Sequence, residues 1–224
     1  MKFLLIASLF ILFTLPKILP QYSKADSGLV RTTYTKQFDH GIIERYLNSG
    51  DTRKTKAALL SIAQSEDTLW VPLIVKLNFA KYGKEISFAL GELGPCGKSS
   101  AFLIDRIKEK NNTPILIHEA LAAIGKAGGF NSFNQILEYY ADSGDKNTSG
   151  ISLAMYGFYT RSIRSKSEIV PVIANEIKTH KLPCKENFEA AFVLFRTSAP
   201  DSIKDILLTE INNFLSPETV EYVN

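Results

Sequence analysis

The sequence predicts an all-α protein, an α-solenoid (superhelix) of about five helix pairs, on three observations. Apolar residues recur at i, i+3, i+4 and i+7 in segment after segment, the stripe of a half-buried helix. Those stripes fall into two interleaved series, and in the series that starts at Thr55 the members return every 31 to 37 residues, the mark of a repeat array. No segment shows a sustained run of alternating β-branched residues, so nothing reads as a strand.

Along the chain, Ile43, Tyr46 and Leu47 form a degraded first stripe, and Thr55, Ala58, Leu59 and Ile62 a weak copy of its partner. Trp70, Leu73, Ile74 and Leu77 then open a pair that Ile86, Ala89, Leu90 and Leu93 close. Leu103, Ile104 and Ile107 are followed by Ile117, Ala120, Leu121 and Ile124. Phe133, Ile136, Leu137 and Tyr140 precede Ile151, Ala154, Met155 and Phe158. Val170, Ile173, Ala174 and Ile177 precede Phe188, Ala191, Phe192 and Phe195, and Ile203, Ile206 and Leu207 end the series. Turn-forming breakers separate the members: Ser49-Gly50-Asp51, Tyr82-Gly83, Asn111-Asn112-Thr113-Pro114 and Ser143-Gly144-Asp145. Gly91, Gly125 and Gly157 each lie one turn from a helix end. A glycine inside a helix costs roughly 1 kcal/mol against alanine, so their reading is close helix approach. Gly94, followed by Pro95, fits a helix cap and stop.

The ends read differently. Lys2 precedes an apolar-or-small run from Phe3 to Leu15, then Pro16 and a polar stretch with Ser23 and Ala25 at −3 and −1 of a cleavage point. That is the layout of a secretory signal peptide over residues 1–25. The alternative is an uncleaved anchor, but 13 helical residues span only about 20 Å against a hydrocarbon core of about 30 Å. Residues 26–40 are polar and aperiodic and read as a linker, the repeat array runs over 41–215, and 216–224 is a tail. The formal charge of +3 disappears once the leader is set aside, leaving 23 basic against 23 acidic side chains. With it goes the charge-based case for nucleic acid.

The repeats carry a family resemblance. Phe88-Ala89-Leu90-Gly91-Glu92-Leu93-Gly94 resembles the ending of a second helix in HEAT repeats, and Ala122-Ala123-Ile124-Gly125-Lys126-Ala127-Gly128 is a second copy. Val71-Pro72-Leu73-Ile74 and Val170-Pro171-Val172-Ile173 look like first-helix openings of the same repeats. The pattern departs at Gln64 and Phe195, where the glycine is missing. The resemblance implies an armadillo-type array whose second helices line a concave face. Ser149 to Phe158, after those two endings, is also similar to the arrays carried by some exported cyclophilin-type prolyl isomerases. That likeness implies, as the alternative function, the N-terminal scaffold part of a cyclophilin-type peptidyl-prolyl isomerase whose catalytic domain lies outside this chain, in which no β-barrel and no Phe-His-Arg run is read.

Chemistry is sparse. Gly97-Lys98-Ser99 mimics the tail of a phosphate-binding loop, but position 92 is Glu92 where a glycine is needed, and a helix precedes it where a strand should. His40, His118 and His180 form no metal-ligand spacing, and His118 reads as solvated or locally bonded beside Glu119. Cys96 and Cys184 fall three repeats apart, about 25–30 Å at helix-packing distances, beyond the roughly 7 Å that a disulfide spans. Two unpaired thiols are expected. No nucleophile elbow is present. The expectation is therefore a non-enzyme with no cofactor and no metal. It is an exported, periplasmic or extracellular scaffold without a stable membrane span after signal cleavage, and it holds a protein or peptide partner through its helical surface. Tyr156, Tyr159, Arg161, Arg164 and Lys166 gather aromatic and basic groups around one helix end. They are the candidate partner-binding residues, because Tyr and Arg are favoured interface anchors.

Overall fold

A computed structural model of the chain describes residues 29, 33, 36–143, 150–179 and 184–214. The expected signal peptide at 1–25 and tail at 216–224 lie outside them. Among the described residues the protein is all-α, with eleven α-helices, one 3-10 helix and no strand. Contacts divide the chain into two units, residues 1–61 and 62–224.

In the first unit, α1 (His40–Leu47) starts at Asp39, whose carboxylate accepts from the Ile42 N–H at 3.0 Å. It buries Ile43 and Leu47. Gly50, at φ +71°, makes the turn into α2 (Thr52–Ala63), most of which belongs to this unit. Asp51 starts that helix by accepting from the Arg53 N–H at 2.8 Å. The Arg53 N–H is also the main reason that the Asp51 carboxyl is held below its ordinary value. Part of the expected linker is docked here. Leu29 is helical and buried, and the Thr33 hydroxyl lies 2.6 Å from that of Ser61.

The second unit opens with a 3-10 turn (Thr68–Trp70) running into the one-turn α3 (Val71–Ile74), with Pro72 in the first turn where a missing N–H costs least. Next is α4 (Phe79–Glu92), and here the expected breaker is misplaced: Tyr82 and Gly83 are buried inside the helix. The break is at Asn78, whose side-chain oxygen accepts from the Lys81 N–H at 3.1 Å. Gly94 ends α4 at φ +79°, the left-handed cap that the sequence called for. There follow α5 (Gly97–Lys108), α6 (Pro114–Ala127), α7 (Phe130–Ser143), α8 (Ile151–Thr160), α9 (Lys166–Thr179), α10 (Cys184–Arg196) and α11 (Asp201–Phe214). Pro171 stands in the second turn of α9, so that helix begins four residues before the expected Val170-Pro171 opening.

Neighbours pack in a regular order. In one series α4 packs on α6, α6 on α8 and α8 on α10; in the other α5 packs on α7 and α9 on α11. Between the series, α5 meets α6, α8 meets α9, and α10 meets α11. The stripes explain the order. Ile86, Ala89, Leu90 and Leu93 of α4, Ile117, Ala120, Leu121 and Ile124 of α6, and Ile151, Ala154, Met155 and Phe158 of α8 are all buried. Each fully buried aliphatic side chain stabilises by about 1.5–3 kcal/mol relative to exposure. The glycines let these helices close up. A Cβ on Gly157 would lie 2.6 Å from the Gly125 carbonyl oxygen, and one on Gly125 would lie 2.5 Å from that of Ala154. Backbone therefore meets backbone between α6 and α8.

One stripe is out of register. Ala190, Val193, Leu194 and Thr197 are the buried set of the α10 segment, whereas Phe188, Phe192 and Phe195 are 64%, 48% and 75% exposed. Both sets have helical spacing. The smaller set is the one on the side that meets α8, α9 and α11.

Candidate partner-binding surface

The five residues singled out by sequence lie on α8, in the turn after it, and at the first position of α9. No side chain within α8 is charged, and its Tyr156 is half-buried. The Tyr156 ring packs edge-on against Phe192 of α10, with centroids 5.3 Å apart and planes at 77°. Its hydroxyl accepts from Arg196 Nε at 3.1 Å. Tyr159 is also half-buried, and its carbonyl accepts the Ser162 N–H at 2.9 Å in the turn that ends the helix.

The three basic residues each reach a different neighbour. Arg161 donates to the carbonyl oxygens of Lys126 and, at 2.7 Å, of Gly128, which close the C-terminal end of α6. Orphan carbonyls at a helix end need such donors, and a cation is favoured there by the helix dipole. Burial lowers the Arg161 pKa without threatening its charge. Arg164 lies over the rings of Phe130 and Phe133, 3.5 and 4.4 Å from their centroids. It also pairs with Glu168 at 3.2 Å and donates to Asn134 Oδ1 at 3.1 Å. Lys166 donates to the Ser198 carbonyl at 2.6 Å. The partners of these three cations are thus on α6, α7, α9 and the residues after α10, and the rings that Arg164 meets are Phe130 and Phe133.

The residues that sequence reasoning missed are Phe188, Phe192, Phe195 and Arg196, which continue the aromatic and basic character of Tyr156 onto α10. The signal was present as the competing stripe Ala190, Val193, Leu194 and Thr197, which satisfies the same spacing.

Other chemistry is placed as follows. His118 is buried, and its Nε2 lies 3.0 Å from Glu189 Oε1, a bond from α6 to α10. It is buried, not solvated. Cys96 is a free thiol at the N-cap of α5. Burial, the largest single influence, pushes that thiol up, and the donors of Ser99 and Lys98 together bring it below its ordinary value. Among the described residues no three His, Cys, Asp or Glu side chains gather as a metal site, and no helix is long and apolar enough to cross a membrane. Comparison with family models, with curated proteins and with solved structures returns no match to this chain.

Proposed function

We propose that the chain is an exported α-solenoid of HEAT-like helix pairs that holds a protein or peptide partner on the free side of its second helices. The observation that carries this reading is the serial packing of α4, α6, α8 and α10, each on the next, with one side of each helix left outward. An array packed in this way offers a long ridged surface and little enclosed volume, which suits it to holding another chain. Aromatic groups on that free side include Phe88 on α4, Tyr156 on α8 with Tyr159 beside it, and Phe192 of α10 against the Tyr156 ring. Arg161, Arg164 and Lys166 set the shape of the turn next to them. The apolar leader with Ser23 and Ala25 before Asp26 supports export.

The test is site-specific photo-cross-linking in intact cells that express the chain. A photoreactive residue at Tyr156 or Tyr159 is expected to give one discrete adduct, and the same residue at Lys108, exposed on α5, none. No adduct from either tyrosine, or the same adducts from all three positions, would overturn the reading. Mass spectrometry of the exported protein is expected to find a chain that begins at Asp26.

A further inference from the structure

Beyond partner capture, the geometry points to a second use of α10: we infer that its phenylalanine stripe seats a second copy of this chain, helix against helix and antiparallel. Phe188, Phe192 and Phe195 are separated by four and then three residues, the spacing of the apolar seam along which two helices interlock. Phe188 and Phe195 are 64% and 75% exposed, and Phe192, with one edge against Tyr156, is 48% exposed. Exposed phenyl rings scattered singly need no explanation, but three in a row on one helix form a patch.

The stripe is matched to itself. An antiparallel two-fold axis beside Phe192 sets Phe188 of one copy opposite Phe195 of the other at both ends of the seam. Six rings then meet edge to face, the arrangement that Phe192 already adopts with Tyr156. At that exposure the three rings offer about 350 Å² per copy, close to half of the roughly 800 Å² per partner that a stable interface buries. Charge agrees with this orientation. Ala191 is the remaining residue along the seam, and Arg196 stands just past its end, tied to the Tyr156 hydroxyl. Antiparallel pairing keeps the two guanidinium groups at opposite ends, whereas parallel pairing would set them side by side at a like-charge penalty. Among the described residues, α10 is itself the helix that bears a matching exposed stripe, and a second copy supplies one without any further partner.

Sedimentation velocity of the purified, exported chain from about 1 to 100 µM tests this inference, a range that brackets micromolar association. The native chain is expected to pass from monomer to dimer. A Phe188→Ser, Phe195→Ser double variant is expected to weaken dimerisation at least tenfold, with the far-UV circular dichroism unchanged and, at concentrations where both chains are monomeric, the thermal midpoint unchanged too, because both rings are outside the core. A native chain that stays monomeric throughout would overturn the inference and give the stripe to a different protein. A dimer that survives the double variant would overturn it too. As a second reading, a Phe192→Cys variant in a Cys96→Ser, Cys184→Ser background is expected to form a covalent dimer on mild oxidation. A dimer that does not cross-link there would overturn the antiparallel seam. These measurements use the chain alone, so their failure is separable from a failure of partner capture in cells.

Discussion

Gly125 and Gly157 place the strictest demands on residue identity. A Cβ at Gly125 would meet the Ala154 backbone at 2.5 Å, and backbone cannot turn aside as a side-chain tip can. Gly125→Ala gains up to about 1 kcal/mol of helix propensity but overpacks at a cost of about 1–3 kcal/mol. The expected outcome is a net loss of about 1–2 kcal/mol, read as a lower urea midpoint at unchanged slope. Gly97→Ala is the control: nothing lies within 4 Å of its Cβ position, and it is expected to stay within about 0.5 kcal/mol of the native chain. Glu168 gives a second prediction. The Ser165 N–H at 2.9 Å and hydroxyl at 2.8 Å, with Arg164 adding to them, hold its carboxyl below the ordinary carboxylate range. Because the folded value is the lower one, the cap stabilises fully above the unfolded carboxylate pKa. It is lost as pH falls through the folded value. In Ser165→Ala the amide donor remains and the hydroxyl goes, so the Glu168 titration, followed by carboxyl carbon shifts, is expected to move part of the way up. The glycine roles were legible because a helix-interior glycine needs a reason. The roles of Arg161 and Lys166 were not, since their acceptors lie more than 30 residues away in sequence.

At the level of the helix, α10 shows where periodicity loses its power to choose. The sets 188/191/192/195 and 190/193/194/197 satisfy the same template, and weight of hydrophobicity favours the phenylalanines. The packed side is instead the one that carries Ala190, Val193, Leu194 and Thr197, with α8, α9 and α11 as the helix neighbours. Leu194→Ala is therefore expected to cost about 2–5 kcal/mol, and Phe195→Ala less than about 0.5 kcal/mol, a contrast that chemical denaturation resolves directly. Where one template had no rival, as in α4, α6 and α8, the buried stripe was readable residue by residue. Breakers were less readable. Tyr82-Gly83 looked like a turn, yet Gly83 is held inside α4, where a Cβ would come within 2.8 Å of Leu116. The shorter signal at Asn78 was the helix start. The bond from His118 to Glu189 spans 71 residues and has no local signature.

In the second unit as a whole, the principal helix contacts join α4 to α6, α6 to α8 and α8 to α10, and no helix far along the chain shares a large interface with α4. Stability in such an arrangement is close to a sum of local terms and neighbour interfaces. Leu194→Ala is thus expected to raise amide hydrogen exchange in α10 and α11 well before α4 and α6, measured at residue resolution under native conditions. Equal acceleration throughout would show a single cooperative block. The all-α class was plain in the sequence because every segment carried the helical period and none the strand period. Function was faint because the charges balance and no reactive group stands in a motif. The contact between α6 and α8 has a last consequence, for descent. Glycine is already the smallest residue, so every replacement at Gly125 or Gly157 adds atoms to a gap that has none to spare. Related chains should have kept these two positions while their surface aromatic residues drifted, and a distant cousin would be traced more surely by its paired glycines than by its phenylalanines.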